Sequence, residues 1–296
     1  MKTFKFADIL SSLQNLDPWL EGLGIRVNQD RIHRAIQVVQ DAHNGWKTLR
    51  ETGKPSRIGN ANEYYFGLVE ALEFRDIYTA FKDDDPEILG PKLERALSGP
   101  FRPAEETKET SDGRNMMFEL ALAADLRLRG GNIAVGEPDI CLKVSDRRFL
   151  IECKRPFGEG GVVGNVRRVA TQLKPHLRSD SRAVGVIAVS ATRILNQGAK
   201  LFLAPTAHDY KRLTDELEKL AHKREQDWRK GGIRAKIAGV LFHVQTPAVI
   251  KDQNLLVMMT STCLLPTGQE TKEFAVLANE YQSLFSAQMR VENRRS

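Results

Sequence analysis

Residues Glu137 to Pro156 read EPDICLKVSDRRFLIECKRP, and this stretch decides the fold. Apolar and polar positions alternate on both sides of a short polar turn, the pattern of two strands joined as a hairpin. A turn at Asp146-Arg147 pairs Ser145 with Arg148 and Val144 with Phe149. Successive strand side chains point to opposite faces. One face therefore carries Ile140, Leu142, Val144, Phe149, Ile151 and Cys153, all apolar. The other carries Asp139, Cys141, Lys143, Arg148, Leu150, Glu152 and Lys154. In this register Asp139 lies across from Lys154 and diagonal to Glu152, near enough for both carboxylates to share one ion.

Outward from the hairpin, Asn115 to Arg129 reads as an apolar helix closed by Gly130-Gly131. Asn165 is placed as the cap of a helix that runs to Lys174 and stops at Pro175, with Val166, Val169, Ala170 and Leu173 facing inward. Val184 to Val189 is a continuous apolar strand. His208 to Lys230 is a long charged helix with one apolar side, Tyr210, Leu213, Leu217, Leu220 and Trp228, ended by Gly231-Gly232. Two more apolar strands, Ile237 to Val244 and Leu255 to Leu264, precede a last helix from Glu270 to Met289. Helices alternating with short buried strands predict an α/β layer architecture.

The N-terminal part is helical in pattern. Ile32, Ile36, Val39, Trp46 and Leu49 recur at helical spacing after the candidate caps Asn28 and Asp30. Tyr65, Leu68, Val69, Leu72 and Phe81 form a second stripe, and Glu87 to Leu97 a third, short one. Phe101 to Gly113 is polar and aperiodic, which predicts a linker or exposed loop. The expected division is a helical region, 1–110, and an α/β domain, 111–296.

Composition narrows the function classes. Apolar residues at 41% and charged residues at 28% are ordinary globular usage, so most of the chain should fold. The longest apolar runs, such as Leu255 to Met259, fall far short of a bilayer span, so no membrane partner is expected. Asp8 breaks the apolar stretch of MKTFKFADIL before a secretion signal forms. Cys141, Cys153 and Cys263 lack C-x-x-C spacing and suit buried thiols, so a cytoplasmic protein is expected. Net charge is +6, but Lys143 to Lys200 holds twelve Lys/Arg against four acids, so all excess charge sits there. A basic region around isolated carboxylates fits a site that holds a phosphate backbone; solvated surface cations are the plainer alternative.

Two carboxylates at a hairpin end make a hard, oxygen-rich site suited to Mg²⁺ or Mn²⁺, which keeps positions open for water and a phosphate oxygen. Such an ion activates a bound water, and an ammonium such as Lys154 can orient that water and offset phosphate charge. Glu119 sits inside the apolar helix, where a carboxylate is costly without a cation; it is either a third ligand or a buried acid paired with Arg127 or Arg129. Arg168 and Gln172 lie four apart on one helix face, available to phosphate or to a metal-bound water, or simply solvated. Glu137 and Glu159 are spare acids near the site.

Pro138-Asp139 followed by Glu152-Cys153-Lys154 on an apolar strand resembles the PD-(D/E)xK motif of the restriction-endonuclease-like nuclease superfamily. The resemblance covers Asn115 to Val189. It implies a mixed central β-sheet flanked by helices and Mg²⁺-dependent hydrolysis of phosphodiesters, usually of DNA. Asp139 and Glu152 would be ligands, with Cys153 contributing its backbone carbonyl and Lys154 assisting. The glutamate often carried by the preceding helix would fall on Glu119, and the glutamine of the following helix on Gln172. Gln172 to His176 also resembles the Q-x-x-x-Y element of RecB-type members, with His176 in place of the tyrosine. Arg155, Arg167, Arg168 and Lys174 are the cations placed to hold nucleic acid.

E-x-K also occurs at Glu106 to Lys108 and Glu270 to Lys272, so spelling alone does not select the site. Only Glu152 to Lys154 lies on an apolar strand after a Pro-Asp; a structural, salt-bridged hairpin is the alternative. Gly158 to Gly164 spaces its glycines like a pyrophosphate cradle, but four residues separate it from the strand, so a loop admitting substrate reads better. His176, His208, His222 and His243 lack an elbow-like nucleophile. The charged helix after His208 is a solvated helix with one packed stripe, or a surface for nucleic acid or for a second copy in a homo-oligomer. Three readings therefore stand: a metal-dependent nuclease, a non-catalytic nucleic-acid-binding module, and a dinucleotide enzyme.

Overall fold

A helix ending on a left-handed glycine leads into the α/β part of the chain. Gly130 has φ 97°, and the N–H groups of Gly130 and Gly131 return to the carbonyls of Arg127 and Leu126 at 2.9 and 3.0 Å. That closure is the one the glycine pair predicts. The computed structural model describes residues 6–25, 30–52, 61–197, 201–206, 209–231, 233, 236–252, 255–268 and 270–292. The candidate cap Asn28, and His208 and Gly232 at the ends of the charged helix, lie outside the described residues.

The N-terminal stripes form helices α1 (Phe6–Leu13), α2 (Leu16–Gly22), α3 (Asp30–Thr52), α4 (Ala61–Phe81) and α5 (Pro86–Ala96). Of their periodic positions Ile32, Val39, Leu68, Val69, Phe81, Leu89 and Leu93 are buried, while Ile36, Tyr65 and Leu72 are half-buried. Each of the buried side chains contributes about 1.5–3 kcal/mol of hydrophobic stabilisation. Helix α6 (Asp112–Leu128) follows.

Phe101 to Gly113 is exposed at most positions, as its polarity predicts, but it is anchored at a few of them. Phe101 and Glu106 are buried, and Arg114 donates to the Phe101 carbonyl at 2.7 Å. Arg114 also pairs with Glu70 at 2.8 Å, and Glu70 pairs with the buried Arg31 at 2.7 Å. Within this segment Glu106 alone joins the buried ion network, through Arg114, and composition cannot single it out from its solvated neighbours.

The chain accordingly does not part at residue 110. One compact unit comprises Met1–Met117, Asn196–Tyr210 and Gln245–Met259; the other comprises Phe118–Leu195, Lys211–Val244 and Thr260–Ser296. The first unit recruits distant strand segments: Gln245, for example, donates to Glu73 of α4 at 3.3 Å.

From α6 the chain runs into β1 (Asn132–Val135), β2 (Ile140–Val144), β3 (Arg147–Lys154), α7 (Val162–Ser179) and β4 (Ala183–Ser190). After α8 (Thr192–Leu195) come β5 (Phe202–Ala204), α9 (Tyr210–Gly231), β6 (Ile237–Ile250), β7 (Leu255–Pro266) and α10 (Thr271–Glu292). The sheet order is β1-β2-β3-β4-β6-β5, with β7 on β6. The β1–β2 and β2–β3 pairs are antiparallel, whereas β3–β4, β4–β6 and β5–β6 are parallel. The fold is thus α/β with a mixed sheet and helices, as expected. Strand β4, with neighbours on both sides, is buried at every position.

Three local expectations change. The hairpin turns at Ser145-Asp146, one step earlier than predicted: Val144 pairs with Arg147 and Ile140 with Ile151. Ser145 takes φ 53°, as a two-residue hairpin loop requires at its first position. Helix α7 begins before Asn165 and continues through Pro175 to Ser179. Asn165 is not its cap and instead donates to the Gly161 carbonyl at 2.7 Å. The buried stripe Val162, Val166, Val169, Leu173 and Leu177 outweighs the single hydrogen bond proline removes. Strand β6 runs past Val244 across Pro247. This proline falls where β4 pairing has ended, at His243, and β5 pairing has not begun, at Ala248.

Candidate active site

The site grows from the C-terminal end of β3. Glu152 and Lys154, two apart on one strand, project to the same face, and Lys154 Nζ meets Glu152 Oε1 at 2.7 Å. Continuing the observed register by one step puts Asp139, just before β2, opposite Glu152 rather than opposite Lys154. The earlier turn slides the partner strand by two residues. The paired side chains keep their predicted faces, and Asp139 sits one residue before the first recorded pair, Ile140 with Ile151.

Asp139 is fixed by the backbone. Its Oδ2 accepts from the Cys153 N–H at 2.7 Å, a charge-assisted bond that aims the carboxylate at the β3 end. Glu152 is 9% exposed and Asp139 half-buried, so solvent reaches the site from the Asp139 side. β3 is more enclosed than an amphipathic hairpin would be: Phe149 through Cys153 are all buried.

Cys153 reports the charge gathered here. Burial pushes its thiol well above the usual range, and the carboxylates of Asp139, Glu119 and Glu152 push it further, while Lys154 opposes them. Three acids and one ammonium thus act on a single sulfur. Glu119, 5% exposed on α6, belongs to this electrostatic neighbourhood. Arg129, one of the partners considered for it, pairs with Asp125 at 2.9 Å.

Gln172, Arg167 and Arg168 are exposed on α7, and Lys174 and Arg155 are half-buried. Arg167 reaches the Asp227 carbonyl at 3.4 Å. Two cations of the basic stretch are used to hold the fold: Arg147 pairs with Glu273 at 2.6 Å and Arg148 with Asp180 at 2.9 Å. Glu137 is exposed. The glycine stretch is not an open loop. Glu159–Gly161 makes one 3₁₀ turn running straight into α7. Glu159 pairs with Lys223 at 2.8 Å and with Arg224, and those two cations hold its carboxyl below its ordinary value. A carboxylate locked to α9 leaves no pyrophosphate cradle there.

One feature of this sheet end is not legible in the motif. Arg193, at the start of α8, lies 3.4 Å from the ring centroid of Phe157. A Phe directly after Lys154-Arg155-Pro156 was the available signal, but the partner comes from the end of a different strand.

Asp139 and Glu152 suit a hard divalent cation in donor chemistry, since Mg²⁺ is commonly held by one or two carboxylates with water and phosphate filling the rest. Among the described residues no group of three or more His, Cys, Asp or Glu side chains is arranged to hold a metal. The fit therefore rests on the donor chemistry of Asp139 and Glu152. No helix among the described residues is long and apolar enough to cross a membrane. No protein-family model, curated protein or solved structure matches the chain, so its function must be read from its own residues.

Proposed function

We propose that this chain is a divalent-metal-dependent nuclease that hydrolyses phosphodiester bonds, in DNA by preference, on a restriction-endonuclease-like core. The observation that carries the reading is the hydrogen bond from the Cys153 N–H to the Asp139 carboxylate, which ties that acid to the residue between the ion-paired Glu152 and Lys154. In this reading Asp139 and Glu152 hold Mg²⁺ or Mn²⁺, with the Cys153 carbonyl as a further oxygen and Glu119 as a nearby acid. When bound, the ion lowers the pKa of a water and stabilises charge on the phosphate. The chain's own groups do the rest. The Cys153 N–H keeps the Asp139 carboxylate in one orientation, so that little reorganisation is needed when substrate arrives. Lys154 leaves Glu152 for the phosphate or for the attacking water, offsetting negative charge where it develops. Arg155, Arg168 and Lys174 hold flanking phosphates, and Arg167 joins them from the same helix. Gln172 orients water or phosphate from α7.

The Lys154–Glu152 contact at 2.7 Å also favours a second reading, a nucleic-acid-binding module in which this pair is a finished structural salt bridge. One experiment separates them: incubate the protein with plasmid, linear and single-stranded DNA and with RNA, in Mg²⁺ or in EDTA, beside Asp139→Ala and Lys154→Ala. The nuclease reading expects metal-dependent cleavage, lost in Asp139→Ala and reduced about 10²–10³-fold in Lys154→Ala. Salt-sensitive binding without cleavage in any condition establishes the module instead.

A further inference from the structure

We propose that Phe157 and Arg193 form a stacking site for an unpaired nucleobase beside the Asp139, Glu152 and Lys154 group; this deepens the nuclease reading and takes its substrate class from it. The Arg193 guanidinium carbon lies 3.4 Å from the Phe157 ring centroid, in contact with the π face. The ring is nonetheless 40% exposed, and of the four large apolar side chains exposed among the described residues it is the one aromatic. A guanidinium set on a ring holds it in place and presents a flat, cationic surface, the pairing on which bases stack without regard to sequence.

The placement ties this surface to the site. Phe157 follows Lys154 by three residues, and Arg193 follows Val189 by four; Lys154 and Val189 are strand partners. Both members therefore extend past the same end of neighbouring strands. Three residues of chain span at most ~11 Å, and phosphates along a duplex strand rise about 3.4 Å each. A base on Phe157 thus lies roughly one to three nucleotides from a phosphate at Lys154. At this end of the strands Lys154 and Arg155 supply positive charge suited to a polyanion, whereas Lys143, Arg147 and Arg148 lie at the turn end of the hairpin. A base inside a duplex has both faces covered by its neighbours, so this surface selects strands with an unpaired nucleotide near the cleaved bond, such as single strands, flaps and frayed ends.

The test is fluorescence anisotropy in EDTA, where no turnover occurs, with a short labelled single strand and the duplex of the same sequence. Phe157→Leu should bind the single strand about tenfold more weakly, Phe157→Trp should match the wild type, and duplex binding should stay unchanged. Arg193→Lys, which keeps the charge but not the plane, should weaken the single strand severalfold. Wild-type affinity in Phe157→Leu, or an equal loss for single strand and duplex, overturns the stacking site. A parallel Mg²⁺ cleavage assay keeps the two ideas separate: selective loss of single-strand binding from a protein that never cleaves upholds the stacking site and defeats the nuclease reading. Cleavage by a Phe157→Leu protein of undiminished single-strand affinity does the reverse.

Discussion

The Asp139 carboxylate accepts a hydrogen bond from the backbone N–H of Cys153 at 2.7 Å, joining the loop before β2 to the residue between Glu152 and Lys154. This bond serves both fold and site, and two substitutions separate the roles. Asp139→Asn keeps an acceptor and loses the charge, whereas Asp139→Ala loses both. Asp139→Ala should lower unfolding free energy by about 1.5–3 kcal/mol and Asp139→Asn by clearly less, measured in urea. Both should abolish metal-dependent cleavage. Cleavage retained by Asp139→Asn removes Asp139 from the ligand set.

Glu119→Gln should reduce the cleavage rate and Mn²⁺ affinity about 10–100-fold while the urea midpoint moves little, because an amide occupies the same volume and retains an acceptor. Calorimetric titration with Mn²⁺ measures the affinity directly. A large stability loss with unchanged Mn²⁺ binding would make Glu119 a structural acid.

His243 should make stability depend on pH above the range where carboxylates titrate. Burial pushes this imidazole down to about 4, Arg129 adding to the effect and Asp125 opposing it. Its Nδ1 has no hydrogen-bond partner among the described residues, and the Phe118 ring lies 5.6 Å away. The folded state therefore resists a proton that the unfolded state accepts below pH 6.5. Stability should fall as pH drops from 6.5 towards 4, by about 3 kcal/mol at the lower limit. Urea unfolding of His243→Phe should show that slope flattened; an unchanged slope assigns the dependence elsewhere.

Glu70 should act in a lower window. Burial alone would raise its carboxyl, but the Arg31 and Arg114 guanidinium groups outweigh it and hold the group below its ordinary value of 4.5. The contribution is present above pH 4.5 and is lost as pH falls through the depressed folded value. At neutral pH Glu70→Gln should cost about 3–5 kcal/mol, since it strands two enclosed guanidinium groups. That difference should shrink on acidification below pH 4.5, and a constant difference would contradict the assignment.

Much of the fold was legible from short-range pattern. The glycine pair at 130–131 ends its helix, the apolar run at 184–189 is an interior strand, and the stripe Leu213, Leu217, Leu220 and Trp228 is buried on α9. β1 and β5 escaped notice because four and three residues, Asn132–Val135 and Phe202–Ala204, are too few to show a period. Pro175 misled because its local cost is real, yet the buried Leu177 beyond it repays a further turn. Polar Phe101 to Gly113 is largely exposed as its composition predicts, and only the burial of Glu106, which meets Arg114 after folding, was hidden from the sequence.

For the site, alternation along the strands determined which side chains share a face: Asp139, Glu152 and Lys154 on one, Cys153 on the other. A slip of two residues leaves that assignment intact, so no apolar pattern can detect it. Which residue stands opposite which was decided by the turn, where Ser145 adopts φ 53°, and it is the folded hairpin that brings the Asp139 carboxylate to the Cys153 N–H. The Phe157–Arg193 stack and the gathering of Glu119 near Cys153 likewise arise only when separate strands and helices pack. Face is a local, periodic property of the chain; opposition and convergence depend on long-range closure, which spacing along a sequence does not encode.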